Sequence, residues 1–147
     1  MMELMAEHWL FGEPLNARIE LYGDTRLTLR EIVNLRPLSA EMAFLPLCHS
    51  AGSTEGCDPT SEGLNIAAAM QYRGCGSVVG AMWEIVDEDG RDIAEQFYKV
   101  LFSNSRRDHD VPVGERSAKA LRFAVKKLRK KRRITLERWV NWVHYGA

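Results

Sequence analysis

The chain has 147 residues, 46% of them hydrophobic and 27% charged, and its formal net charge at pH 7 is zero. This composition is typical of one soluble globular domain, and a neutral chain indicates no partner through its overall charge. No apolar run approaches the ~20 residues that span a bilayer, and the start, MMELMAEHWL, has acids where a secretory signal peptide carries basic residues, so no signal peptide is expected. We therefore expect a single domain over residues 1–147, in the cytoplasm and without a membrane partner.

Strands and helices are predicted in turn along the first part of the chain. Residues 17–22 (ARIELY) alternate apolar and polar side chains, which predicts a half-buried strand. Thr28 is placed to cap a short helix that extends to Leu35. The apolar run at 42–47 (MAFLPL) predicts a strand covered on both faces, and Pro46 ends it.

The rest of the chain continues this alternation after a polar loop. The predicted elements are a helix at 60–72 that Gly74 and Gly76 close, a buried strand at 77–83, amphipathic helices at 89–102 and 115–131, and an alternating strand at 139–145. Alternating strands and helices predict an α/β fold with a mostly parallel sheet and helices on both faces. In such folds, functional side chains lie beyond the carboxyl ends of the strands.

Three cysteines are present, an odd number without the spacing of a metal site. Cys48 comes just after the apolar run at 42–47, at the carboxyl end of a predicted strand. Cys57 lies in the polar loop, and Cys75 precedes a strand, so it belongs to the opposite edge of the sheet. Each is expected to be a free thiol in a reducing compartment, and no metal or other cofactor is expected.

Six stretches occur in the order found in one known protein family. They are 40–51 (AEMAFLPLCHSA), 62–70 (EGLNIAAAM), 74–89 (GCGSVVGAMWEIVDED), 93–102 (IAEQFYKVLF), 118–128 (AKALRFAVKKL) and 139–146 (WVNWVHYG). Together they resemble the CHAT domain, a family related to caspases and separases, in the form abundant in fungi. The resemblance implies a caspase-like three-layer αβα sandwich that hydrolyses peptide bonds. The family's first strands have no counterpart here, so we expect a partial domain, its C-terminal portion, with the N-terminal strands missing.

The resemblance assigns catalytic roles to two residues. Cys48 matches the family nucleophile that follows a buried strand, and its thiolate would attack a peptide carbonyl. The family base is the histidine of a His-Gly pair further upstream. His8 is the only histidine upstream of Cys48, although Trp9 stands where the family has glycine, and we take His8 as the candidate base.

Two acids match further family positions and are candidate substrate-binding residues. Asp87 ends the W-x-x-x-D pattern that begins at Trp83, and Glu62 matches a glutamate at a helix start. Each has a structural alternative. Asp87 would serve as a helix cap, which is the favoured interpretation, and Glu62 would stabilise the positive end of a helix dipole.

Other histidine and tryptophan side chains are expected to be structural. His144 lies in the terminal strand and is expected to be structural or half-exposed. The rings of Trp83, Trp139 and Trp142 are expected to belong to the core rather than to a ligand platform.

Three functions remain open at this point. The first is a CHAT-type cysteine peptidase that acts on a peptide or protein substrate. The second is an inactive pseudo-protease that binds protein partners or fused regulatory domains. The third uses the basic run at 126–133 (KKLRKKRR) to bind nucleic acid, and it would allow a nuclear location. Because the chain is neutral and lacks a nucleic-acid fold signature, a solvated helix end is the simpler interpretation of this run, and nucleic acid is the least expected partner.

Overall fold

Strands and helices are interspersed along this protein, and the α/β class predicted from the sequence is confirmed. The structure, a computed structural model, describes residues 18–20, 25–34, 36, 39–46, 66–103 and 111–146. The elements within these ranges are β1 (Arg18–Glu20), β2 (Arg26–Thr28), α1 (Leu29–Asn34), β3 (Ala43–Leu45), α2 (Ile66–Tyr72), β4 (Ser77–Ala81), α3 (Asp87–Leu101), α4 (Val113–Arg129), α5 (Leu136–Val140) and β5 (Trp142–Gly146).

Three of the strands form one sheet in the order β3-β4-β5, while β1 and β2 form a separate antiparallel pair. β3 and β4 are parallel, with Leu45 opposite Gly80, whereas β5 runs antiparallel to β4, with Val143 opposite Gly80. The sheet in the described residues is therefore mixed, where the sequence predicts a mostly parallel one. The cause is the hairpin of α3 and α4, which returns the chain to the carboxyl end of β4 before β5 begins.

Helices cover both faces of β4, whose five residues are all buried. Successive strand residues point to opposite faces, so Val78 packs with α1 and α2 while Val79 packs with α3 and α4. The helix residues buried against the two faces include Leu29, Ile32, Ile66 and Ala69 on the first, and Ile93, Phe97, Leu121, Ala124 and Leu128 on the second. Because each large aliphatic side chain contributes about 1.5–3 kcal/mol when buried, these two layers hold the sheet in place.

The start of α1 is fixed by reciprocal hydrogen bonds between two side chains and the backbone. The Glu31 backbone N–H donates to the Thr28 hydroxyl at 3.2 Å, and the Thr28 backbone N–H donates to the Glu31 carboxylate at 2.7 Å. These bonds satisfy two N–H groups that a helix start leaves without partners, and they hold the pKa of Glu31 below its usual value. The prediction that Thr28 caps this helix is confirmed.

The end of α2 is fixed by a glycine in the left-handed conformation. Gly74 has a φ of 97°, and its N–H donates to the Gln71 carbonyl at 2.9 Å. The next N–H, that of Cys75, donates to the Met70 carbonyl at 3.1 Å. This pair of bonds is a Schellman motif, which satisfies carbonyl groups that the helix end would otherwise leave unpaired.

The last predicted element is partly wrong. The sequence predicts a strand over 139–145, but the chain forms the short helix α5 and begins β5 only at Trp142. The apolar residues of this stretch fit a helix as well as a strand, because a helical turn buries Trp139 partly against the core residues of α3 and α4. It also brings the neighbouring Arg138 to a buried carboxylate on α3. These tertiary contacts outweigh the local pattern.

Candidate active site

The carboxyl ends of β3 and β4 form the edge at which the sequence predicts the active site. The two strands are parallel and in register, so Leu45 and Gly80 lie side by side. The prediction that the first of these strands ends at Pro46 is confirmed, because β3 stops at Leu45. Cys48 follows Pro46 by two positions in the sequence but lies outside the described residues.

The segment that leaves β4 at this edge is attached to α5 and the residue after it. The Met82 backbone N–H donates to the Asn141 carbonyl at 2.9 Å. The Trp83 indole N–H donates to the Glu137 carbonyl at 3.0 Å. Trp83 is half-buried, so its ring connects two segments at the edge of the sheet instead of lying in the core as the sequence predicts. Of the other two tryptophans predicted to lie in the core, Trp142 is buried and Trp139 is partly buried.

Asp87 is the one predicted site residue that the structure places. Its favoured role as a helix cap is wrong, because α3 begins at Asp87 itself and the cap position is Val86, which makes no side-chain capping bond. The Asp87 side chain is exposed in the first turn of α3, beyond the carboxyl end of β4. A carboxylate there is favoured by the helix dipole and is accessible to a ligand.

A buried carboxylate on α3 holds α5 at the same edge. Asp89 is 1% exposed and accepts two hydrogen bonds from the Arg138 guanidinium, at 2.6 Å from Nε and 2.8 Å from Nη2. This bidentate geometry raises the pKa of Arg138 and fixes the orientation of both side chains. Lys131 adds a second cation through ion pairs with Asp92 and with Glu88, the latter at 3.4 Å. The sequence did not predict this cluster, because no local pattern indicates a contact between residues so far apart in the chain.

A family model for the CHAT domain matches residues 5–147. The chain belongs to the CHAT domain family. This family is related to the caspase-like cysteine peptidases, and the match confirms the family predicted from the six sequence stretches. No curated protein matches the chain at a significant level.

In this CHAT domain most of the predicted site residues lie outside the described part. Cys48, His8 and Glu62 all fall in residues that the structure does not describe. Their predicted roles therefore stay predictions, and only Asp87 has a described position relative to the sheet. The described residues include the surroundings of the site, which are the paired ends of β3 and β4 and the segment after β4 with its attachment to α5. We call these surroundings the frame of the site.

Cys75 has the environment of a structural thiol. It is 4% exposed, and its S–H donates to the Ser77 carbonyl at 3.2 Å. Burial raises the pKa of the Cys75 thiol, which disfavours the reactive thiolate. The residue directly precedes β4 at the amino end of the sheet, on the edge opposite the candidate site, as the sequence predicts.

A second cluster of polar side chains lies at that amino end. His144 Nε2 is 2.7 Å from the Ser77 hydroxyl and 2.9 Å from the Ser117 hydroxyl, and the two hydroxyls are 2.8 Å apart. Ser117 donates its proton to the Gly114 carbonyl at 2.7 Å, so its oxygen can only accept from the other two groups. Ser77 can then donate its proton to Ser117, which leaves the two contacts of His144 without a proton unless Nε2 carries one. We therefore assign the tautomer in which Nε2 is protonated.

His144 is neutral in this setting and its role is structural. Burial lowers its pKa below the usual 6.5, although the Gly114 carbonyl opposes this shift. Ser77 and Ser117 are both fully buried. The cluster joins β4, α4 and β5, and His144 is half-buried within it.

None of the described helices is long and apolar enough to cross a bilayer. Within the same part of the chain, no three His, Cys, Asp or Glu side chains are grouped in a way that could hold a metal ion.

Proposed function

We propose that this CHAT domain is a cysteine peptidase in which Cys48 is the nucleophile and His8 the base. The observation that carries the proposal is the end of β3 at Leu45, beside the end of β4, with Cys48 three positions further along the chain. In α/β sheets, residues just beyond the carboxyl ends of the strands line the functional crevice. Membership of a family related to caspase-like cysteine peptidases supports the same assignment.

The proposed reaction proceeds through a thioester. His8 accepts the thiol proton of Cys48, and the thiolate sulfur forms a bond to the carbonyl carbon of the substrate peptide. Backbone N–H groups beyond the strand end would stabilise the oxyanion that develops. The C–N bond then breaks as His8 returns the proton to the leaving amine, and water hydrolyses the thioester to release the acid.

Substrate contacts are proposed for two acids. Asp87 is exposed beyond the end of β4, where it can meet a basic or hydrogen-bond-donating group of a bound peptide. Glu62 is proposed for the same role from its family position alone. Neither carboxylate takes part in the covalent steps, so substituting either one should alter substrate choice more than thiol reactivity.

The proposal is tested by active-site labelling of the full chain. A peptide carrying a thiol-reactive acyloxymethyl ketone should modify Cys48 ahead of Cys57 and Cys75, as read by peptide mapping. Cys48→Ala should abolish the labelling, and the matched variant Cys57→Ala should leave it unchanged. Equal modification of all accessible thiols, or labelling that survives Cys48→Ala, would overturn the peptidase assignment.

The second candidate is a pseudo-protease that binds proteins without cleaving them. The observation in its favour is Trp9, which stands where the family has the glycine that follows the catalytic histidine. A His8→Ala variant separates the two candidates. In a peptidase it should slow labelling of Cys48 by the ketone probe and raise the pH at which labelling is half-maximal. In a pseudo-protease neither the rate nor the pH profile should change.

A further inference from the structure

The basic residues of this protein are concentrated in one segment. Half of the 20 Lys and Arg residues lie between positions 116 and 133, a stretch that contains no Asp or Glu. They are Arg116, Lys119, Arg122, Lys126, Lys127, Arg129, Lys130, Lys131, Arg132 and Arg133. The zero net charge is thus the sum of a strongly basic segment and an acidic remainder, so a neutral whole-chain charge does not describe this surface.

The structure places part of this segment on one solvent-facing line. The apolar side of α4 is buried in the core, and Arg122, Lys126 and Lys130 lie on the exposed side. They recur every four residues, about 6 Å apart along the helix axis. Arg132 and Arg133 are also exposed and follow the helix end in the sequence. We name these five residues the basic stripe.

The basic stripe differs from its neighbours in having no side-chain partner among the described residues. Lys119 pairs with Glu115 at 2.6 Å, and Arg129 lies over the Trp139 ring at 5.0 Å. Lys131 is bound by the acids of α3. Each of these three cations therefore has a structural contact, whereas within the same described ranges the basic stripe has none.

Arg133 occupies a position that normally favours glycine. Its φ is 66°, the left-handed conformation, which costs an L-residue with a Cβ free energy. A glycine would relieve that cost, so the backbone gains nothing from arginine here. The cation is better explained by what its side chain meets outside this chain.

An aromatic ring lies beside the basic stripe. Phe123 follows Arg122 on α4 and is 40% exposed, and Lys127 lies over its ring at 5.6 Å. Cations around an exposed ring form the combination that holds unpaired bases and their phosphates, the ring by stacking and the cations by charge.

We propose that the basic stripe and Phe123 bind single-stranded nucleic acid. A regular line of cations matches a polymer that carries one charge on every unit, and the exposed ring gives an unpaired base a surface on which to stack. A membrane fits poorly because the apolar side of α4 is already buried in the core and cannot enter a lipid surface. An acidic peptide would use the cations but would leave Phe123 without a role.

The test is fluorescence anisotropy of the full chain with a labelled oligothymidylate of about 20 nucleotides, longer than a typical site of roughly 4–16. Salt is varied from about 50 to 200 mM. If all five cations of the basic stripe meet phosphates, log K against log salt should have a slope of about −3.5, since each contributes about −0.7 on a single strand. Lys126→Gln and Lys130→Gln should each make the slope shallower by about 0.7.

Three further variants separate this surface from a general charge effect. Lys119→Gln removes the same charge from the same helix but from a paired residue, and the slope should stay unchanged. Arg133→Gly should weaken binding while leaving the thermal midpoint equal or higher. Phe123→Ala should weaken binding by at least about fivefold at every salt concentration, because it removes stacking and no charge.

Several results would overturn the proposal. The first is an absence of salt-dependent binding. The second is an equal change of the slope in Lys119→Gln and Lys126→Gln, and the third is an unchanged affinity in Phe123→Ala. Equal binding to poly-glutamate or to vesicles of phosphatidylserine would replace nucleic acid with an acidic protein or an anionic membrane. The proposal is independent of the peptidase assignment, because Cys48→Ala should bind the oligonucleotide as the unaltered chain does.

Discussion

At the amino end of the sheet, hydrogen bonds among His144, Ser77 and Ser117 join β5, β4 and α4. Nε2 of His144 lies within hydrogen-bond distance of the hydroxyls of Ser77 and Ser117, and Ser117 donates its own proton to the Gly114 carbonyl. A second proton on His144 would place a positive charge in a site from which water is partly excluded. The low pKa of His144 is the consequence of that cost.

This arrangement predicts a loss of stability in mild acid. The pKa of folded His144 is below its unfolded value of about 6.5, so the unfolded chain binds more protons in this range. The stabilising contribution is complete above pH 6.5 and is lost as pH falls through the folded pKa. Chemical denaturation from about pH 8 to about pH 5 should show a falling midpoint, and His144→Gln, which keeps an N–H donor but does not titrate, should flatten that fall. Parallel curves for the two proteins would contradict the assignment.

The boundaries of α2 and α1 show how far local chemistry determines an element. Thr28 and Glu31 set one helix start by themselves, and Gly74 sets one helix end. Both lie within a few residues of the groups they satisfy, so the sequence was sufficient to predict them. The start of β5 depends instead on Arg138 and Trp139 meeting α3 and α4, and a local pattern does not contain that information.

Replacing Gly74 should measure the cost of that helix end. Its φ of 97° is unfavourable for any residue with a Cβ, so Gly74→Ala should lower the free energy of unfolding by about 1–2 kcal/mol. Gly74→Asn is the matched control, because asparagine adopts the left-handed conformation more readily, and it should cost less than alanine. Urea denaturation of the three proteins provides the comparison. Equal stability of Gly74→Ala and the unaltered chain would show that this glycine is not needed for the turn.

At the scale of the whole molecule, the sheet separates two polar regions with different roles. The amino end holds the closed cluster around His144 and the buried Cys75, while the carboxyl end holds Asp87 and the frame of the candidate site. The sequence was sufficient to predict where β3 ends, because an apolar run stopped by Pro46 is a local signal. The contacts that attach α5 to this edge could not be predicted, since Asp89 and Arg138 are 49 positions apart.

The Asp89–Arg138 pair should be a main support of that edge. Arg138→Gln would leave a buried carboxylate without its bidentate partner, and Asp89→Asn would leave Arg138 with one neutral amide oxygen in place of the two carboxylate oxygens. Arg138→Gln and Asp89→Asn should each lower the denaturant midpoint clearly more than Lys119→Gln does. The Lys119–Glu115 pair is exposed and contributes only about 0.3–0.5 kcal/mol.

The double variant Asp89→Asn with Arg138→Gln should lose less stability than the sum of the two single losses, because each single change already breaks the same interaction. Additive losses would show that the two side chains act separately. Hydrogen exchange then locates the effect. Breaking the pair should speed exchange at the Met82 amide, which donates to Asn141 beside α5, and should leave the amide of Gly74 at the opposite end of the sheet protected. Unchanged exchange at Met82 would mean that the segment after β4 is held without this pair.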